Sequence, residues 1–176
     1  LKELVSLTKV DLKSSVFSRP FLLVCAIWVI MLISAISHNL NGNEVFGNVL
    51  PTTGLLVGLI LEPLAYVGLF LVVFYAGNLV WKSRYYKLNE ILDAVPTPNN
   101  ILLCSKYIAL FLLPMLILII GILIALLFQL LSGYTTIDFK LYASTFYYGG
   151  VSLLIYGILS ILIQQLVANK YIGLFV

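Results

Sequence analysis

Glu62 is the carboxylate whose position most suggests a functional site, because it lies within a long apolar stretch, "VLPTTGLLVGLILEPLAYVGLF". A carboxylate in such a setting could contact a buried ion or a polar substrate. At the centre of a bilayer it would cost about 2.5–3.5 kcal/mol on insertion scales, so the simpler interpretation places Glu62 and Pro63 near the outer membrane interface. Glu62 is therefore a candidate intramembrane or interfacial polar site.

The other reactive side chains form no recognisable catalytic or metal site. Glu90 and Asp93 lie three residues apart, a spacing more typical of a solvated helix face than of an acid–base pair. His38 is the only histidine, and Cys25 and Cys104 begin separate apolar runs, as buried thiols often do. The sequence has neither a G-x-x-x-x-G-K-[ST] P-loop nor a Ser/His/Asp arrangement. We therefore expect no enzymatic activity, no cofactor and no metal ion in this chain.

The composition is that of an integral membrane protein. Of the 176 residues, 62% are hydrophobic and 10% are charged, and the mean hydropathy is +1.11. Soluble domains carry about 25% charged residues, so the surplus apolar surface must face lipid. The net charge of +3 does not indicate nucleic-acid binding, because the basic residues flank apolar segments.

Four segments are long and apolar enough to cross a bilayer, whose apolar core is about 30 Å thick. They are residues 21–37, 64–81, 107–131 and 146–168. The second crossing is predicted to begin after Glu62 and Pro63, which leaves residues 49–61 as a shallow interfacial or re-entrant piece. The elements that position any functional residue are thus membrane helices, and the predicted fold class is an all-α polytopic bundle.

The distribution of Lys and Arg predicts the orientation of the bundle. Nine of the ten basic residues lie before the first span, between the second and third, or after the fourth. Only Lys140 lies on the other side. Because short cytoplasmic segments are enriched in Lys and Arg, we expect the N-terminus, the loop between the second and third spans and the C-terminal end to be cytoplasmic.

The sequence pattern predicts two further amphipathic helices outside the spans. In residues 1–19 apolar side chains recur at helical spacing with lysines on other faces, which suits either a helix on the inner leaflet or a simple basic flank. In residues 83–95, Leu88, Ile91, Leu92 and Val95 form an i, i+3, i+4, i+7 stripe. Such a stripe favours docking on the membrane surface or in a groove of a partner protein.

The run "FYAGNLVWKSRYYKLNEILDAVPTPNNILLCSKYIAL" (74–110) resembles the second transmembrane half of bacterial type 2 ABC transporter permeases. It is most similar to a Bacteroidetes-type subgroup in which the permease is fused to a C-terminal zinc aminopeptidase-like domain. "FQLLSGYTTIDFKLY" (128–142) resembles an external loop of that subgroup, and "LVANKYIG" (166–173) resembles the stretch after its next span. Asn78 and Ser83 stand where the subgroup has acidic residues.

The resemblance implies a permease that works with a cytoplasmic ATPase. Residues 1–19 would be its elbow helix, residues 20–176 a partial permease domain, and residues 83–95 the coupling helix. ATP would bind to the partner subunit, and a second half-permease, from the same chain or a dimer, would complete the transporter in a bacterial inner membrane. The residues implied in coupling are Arg84, Lys87, Leu88, Glu90, Ile91, Leu92, Asp93 and Val95.

Two other functions remain open from the sequence. The chain could be a membrane anchor for a fused peptidase domain, or a scaffold without an ATPase partner, and neither would transport anything. The sequence begins without Met and ends where the resemblance would start a fifth span, so we expect a fragment of a longer protein.

Overall fold

The computed structural model describes residues 2–40, 49–85, 99–167 and 173. These residues form five α-helices: α1 (Lys2–Val16), α2 (Arg19–Leu40), α3 (Thr53–Tyr85), α4 (Asn99–Leu131) and α5 (Phe139–Leu166). The described ranges contain no strand. The predicted all-α class and the membrane helix bundle are confirmed.

Four of the helices are long and apolar enough to span a membrane: α2, the Thr53–Trp81 part of α3, the Asn100–Leu131 part of α4, and α5. Each is longer than the segment that hydropathy alone predicted. The difference arises because a helix continues past the apolar core as long as its backbone groups can pair along its own axis.

The prediction of a separate shallow piece before Glu62 and Pro63 is wrong. Helix α3 runs without interruption from Thr53 to Tyr85, with Pro63 inside it. A proline removes one backbone donor, but neighbouring helices stabilise such a position in a membrane. Here Leu56, Ile60 and Leu64 are all buried, four residues apart on one face. This packing continues across the proline and holds the helix together.

The spans alternate in direction, which defines two ends of the bundle. Thr53, Gln129 and Asp138 meet at one end, which we call the Gln129 end. Trp81 and Gln164 meet at the other, which we call the Trp81 end. Helices α2 and α4 run toward the Gln129 end, whereas α3 and α5 run toward the Trp81 end.

Helix α4 is the central element, since it contacts each of the other four helices. The most extensive helix pairs are α3 with α5, α1 with α4, and α3 with α4. Leu110, Leu113, Ile117 and Leu118 of α4 are almost fully buried. By contrast, most of α2 is exposed on the surface of the bundle.

Residues 2–16 form a helix, as predicted, and part of the predicted apolar stripe, which includes Val5, Leu12 and Val16, packs against the bundle. Leu12 and Val16 pack against the core, and the polar Thr8 and Ser15 are buried beside them. Val5, which belonged to the predicted stripe, is exposed. Helix α1 thus contacts the bundle through α4 and presents Val5 outward.

Small residues allow the closest helix contacts. A Cβ added to Gly121 of α4 would lie 2.3 Å from Cη2 of Trp28, and one added to Gly68 of α3 would lie 2.9 Å from Cδ2 of Leu153. Trp28 has no exposed surface, so its ring fills the space that Gly121 leaves. Small residues play this role in membrane bundles because they let helices approach closely.

Gly121→Ala should therefore lower the unfolding free energy of the protein in detergent by about 1–3 kcal/mol, the usual cost of overpacking. Gly58→Ala is the matched control, because a Cβ there would meet nothing within 4 Å. The Gly121→Ala change should become nearly neutral in a Trp28→Leu background, where the clashing ring is absent. Equal stability of the Gly121→Ala and Gly58→Ala proteins would contradict this account of the α2–α4 contact.

Candidate functional site

The predicted coupling helix lies mostly outside the described residues. Lys87, Leu88, Glu90, Ile91, Leu92, Asp93 and Val95 are all in the part of the chain, residues 86–98, that is not described. Arg84 is described at the backbone level, in the last turn of α3. Helix α3 continues to Tyr85, so residues 83–85 lie in its last turn.

The two helices that flank this segment are the longest of the bundle. Helices α3 and α4 each have 33 residues, or about 50 Å at 1.5 Å per residue. Both exceed the apolar core of a bilayer, which is about 30 Å thick. Residues 86–98 therefore connect α3 to α4. These two helices pack against each other, and α4 is the central helix.

Polar side chains connect the helices at the Trp81 end, next to this segment. The indole Nε1 of Trp81 donates to Oε1 of Gln164 over 2.9 Å, which links α3 to α5. Gln164 is fully buried, and its Nε2 has no hydrogen-bond partner among the residues that the structure describes. The hydroxyls of Ser18 and Tyr75 form a hydrogen bond between the α1–α2 turn and α3.

A larger buried network closes the Gln129 end. Nε2 of Gln129 donates to the carbonyl oxygen of Pro51 over 3.0 Å and to Oγ1 of Thr53 over 3.1 Å. Its Oε1 accepts from the Tyr142 hydroxyl over 2.9 Å. The amide hydrogens and the carbonyl oxygen of this fully buried side chain thus all form hydrogen bonds. This matters because a buried polar atom without a partner lowers the stability of a protein.

The connection between α4 and α5 is fixed to the same network. Oγ1 of Thr53 also accepts from the backbone N–H of Asp138 over 3.2 Å. Oδ1 of Asp138 in turn accepts from the backbone N–H groups of Lys140 and Leu141, which caps α5. Gly133, with φ of 70°, supplies the left-handed turn that follows α4. The network therefore links the start of α3, the end of α4 and the start of α5.

Sequence analysis did not identify Gln129 or Gln164 as structural polar sites. Gln129 and Tyr142 appeared only within a run that resembles a permease loop. A polar amide inside a long apolar segment was the available signal, because such a group must find partners within the protein. Its partners could not be read from the sequence.

The structure places Glu62 on the outer surface of α3, where its side chain is exposed. Within the described residues it has neither a hydrogen bond nor an ion pair. Leu61, the preceding residue, lines a groove of about 390 Å³ between α3 and α5, whereas Glu62 itself is not one of the lining residues. The groove is lined by the apolar Leu61, Leu64 and Leu69, and by polar groups that include Tyr66, Tyr148 and Ser152.

No group of three His, Cys, Asp or Glu side chains that could hold a metal ion occurs among the residues described. Cys25 and Cys104 are free thiols. The candidate sites of this chain are thus Glu62 with the adjacent groove, and the segment between α3 and α4.

Removing the Gln129 network should destabilise the bundle. Gln129→Leu leaves the Tyr142 hydroxyl without its partner, and we expect a loss of about 1–3 kcal/mol of unfolding free energy. Tyr142→Phe should cost a similar amount, and the double variant less than the sum, because both changes remove the same bond. The measurement is unfolding in detergent.

Tyr147→Phe is the control for this prediction, since Tyr147 is exposed and its hydroxyl has no hydrogen-bond partner among the described residues. If Tyr142→Phe and Tyr147→Phe have the same stability, or if the Gln129 and Tyr142 effects are additive, the network does not stabilise the protein as inferred.

Comparison with known proteins adds no relative: no protein-family model, no curated protein and no solved structure matches this chain. The likeness to type 2 permeases therefore rests on the sequence motifs quoted above. What the chain does must be argued from those motifs together with the geometry of the bundle.

Proposed function

We propose that this chain is the transmembrane permease portion of an ATP-driven ABC transporter that couples a cytoplasmic ATPase to substrate export. The observation that carries the proposal is the position of the charged, amphipathic segment 82–106. Its central part, residues 86–98, joins the two longest helices of the described bundle, and one of these contacts each of the other described helices. The permease-like motifs occur in the same segment.

Coupling requires that a movement of this segment reach the whole membrane domain. A displacement of residues 86–98 acts on α3 and α4 together, because both helices end at this segment. Helix α4 passes the movement to α1, α2 and α5, which pack against it. In this proposal Leu88, Ile91, Leu92 and Val95 enter a groove of the ATPase, and Arg84, Lys87, Glu90 and Asp93 contact the rim of that groove.

The chemistry of ATP belongs to the partner in this proposal. ATP binds and is hydrolysed on the nucleotide-binding subunit, and this chain supplies no catalytic residue. A second half-permease, from the same chain or from a dimer, completes the pathway across the bilayer. The membrane is proposed to be the inner membrane of a bacterium, with the Trp81 end of the bundle in the cytoplasm.

The proposed orientation can be tested by cysteine labelling in cells. In a variant without Cys25 and Cys104, we expect Thr136→Cys to react with a membrane-impermeant maleimide added outside. Lys9→Cys should react only after permeabilisation, because the excess of basic residues keeps its side of the bundle inside. Labelling of Lys9→Cys in intact cells, with Thr136→Cys protected, would reverse the orientation.

Charge reversal at Arg84 together with Glu90 (R84E/E90R) should uncouple ATP hydrolysis from transport. ATPase activity of the purified complex is expected to persist while export falls at least about tenfold, since ionic contacts of a few kcal/mol hold such docking sites. Lys140→Glu, at the opposite end of the bundle, is the matched control and should leave coupling intact. Normal export in the double variant would refute the role of segment 83–95.

Purification of the native protein separates this function from its rivals. A co-purifying P-loop ATPase is expected for a permease. A protein that purifies without such a subunit, and shows no ATP-dependent export in vesicles, would instead be a membrane anchor or scaffold for a fused peptidase.

A further inference from the structure

Three features combine on one outward surface of the bundle, between α3 and α5. The first is the groove of about 390 Å³, which falls within the range of small-molecule sites, roughly 300–1,000 Å³. The second is a set of hydroxyl groups within an otherwise apolar lining. The hydroxyl-bearing residues are Tyr66, Ser152, Tyr148 and Tyr156. The third is the exposed carboxylate of Glu62.

Glu62 belongs to the same helix face as the groove. Positions 62, 65 and 66 share one side of α3, because residues three and four apart are neighbours on a helix. Ala65 and Tyr66 both line the groove, and so does Leu61, which precedes the carboxylate. Glu62 therefore stands at the rim of the groove, on the side toward the Gln129 end.

The position of Glu62 along α3 places it within the span. It lies nine residues from Thr53, which begins the candidate span, or about 14 Å at 1.5 Å per residue. A carboxylate in or near the apolar core is costly unless a cation or hydrogen-bond donors compensate it. None of the residues that line the groove is basic, and Glu62 has no ion-pair partner in the described part of the chain.

The chemistry of the groove selects its ligand. The leucine walls suit an apolar tail. The tyrosine rings offer π faces to a cation, and the carboxylate attracts positive charge. An anionic headgroup would meet Glu62 without a compensating lysine or arginine from the lining. We propose that this groove binds an amphiphile with a cationic amine head, the amine on Glu62 and the tail between α3 and α5.

This site is independent of the transport function proposed above, because binding to it requires neither ATP nor an ATPase. If the bound amphiphile is also exported, the groove would be the entry point for that substrate from the lipid. The two proposals can therefore fail separately, and the test below uses binding alone.

The test is photocrosslinking of the native protein in phosphatidylcholine nanodiscs with a diazirine-bearing octadecylamine. Mass spectrometry should locate the label on peptides that contain Tyr66, Tyr148 and Tyr156. Unlabelled octadecylamine should compete, whereas octadecanol and octadecyl sulfate should not. Glu62→Gln should reduce labelling about tenfold, because it removes the charge that strengthens the hydrogen bond to the amine. Glu62→Asp, which keeps the charge, should retain most of the labelling.

Two tyrosines give a matched pair for the hydroxyl contacts. Tyr148→Phe removes a hydroxyl of the groove lining, and we expect it to weaken labelling by the amine. Tyr147→Phe removes the neighbouring hydroxyl, which does not line the groove, and should have no effect.

Three results would overturn the proposal. Equal competition by octadecanol would indicate ordinary lipid contact without recognition of charge. Undiminished labelling of Glu62→Gln would show that the carboxylate does not hold the amine. No labelling of these peptides in the wild-type protein would show that another surface, such as a second copy of the chain, covers the groove.

Discussion

Helices in a bilayer gain little by burying leucine side chains against one another, because lipid tails are equally apolar. Close contact and buried hydrogen bonds must therefore hold this bundle together. Gly121 provides the close contact by admitting the ring of Trp28. Gln129 provides the hydrogen bonds, because its amide nitrogen and oxygen pair with three groups, two at the start of α3 and one on α5. The apolar residues that dominate the composition determine where the chain lies, but these few contacts determine how its helices are arranged.

The arrangement gives α4 a special position. It contacts all the other helices, whereas α2 is largely exposed. Because α4 runs the length of the bundle, it can carry a movement from one end to the other as a single helix. Any displacement of α4 changes its contacts with every neighbour.

The sequence was a good guide to the class of fold, because the thickness of a bilayer sets the length of apolar segments. It failed before Glu62 and Pro63, where the insertion cost of one carboxylate suggested a boundary, whereas the helix continues with Leu56, Ile60 and Leu64 packed on one face. It could not reveal the pairing of Gln129 with Tyr142 and Thr53, since that depends on the relative positions of three helix ends. For Glu62 the sequence identified an unusual carboxylate, and only the structure placed it beside a groove.

The two ends of the bundle differ in how firmly they are closed. At the Gln129 end, each donor and acceptor of the buried amide is occupied, and separation of the helices would strand several of them in an apolar medium. At the Trp81 end, Oε1 of Gln164 accepts one hydrogen bond, and its Nε2 has no partner in the described part of the chain. If α3 and α5 separated at this end, fewer hydrogen-bonded polar groups would lose their partners. The amide hydrogens of Gln164 could then donate to a new acceptor. Among the described residues, the Gln129 end is therefore held by more buried hydrogen bonds than the Trp81 end, and separating the helices costs more at the Gln129 end.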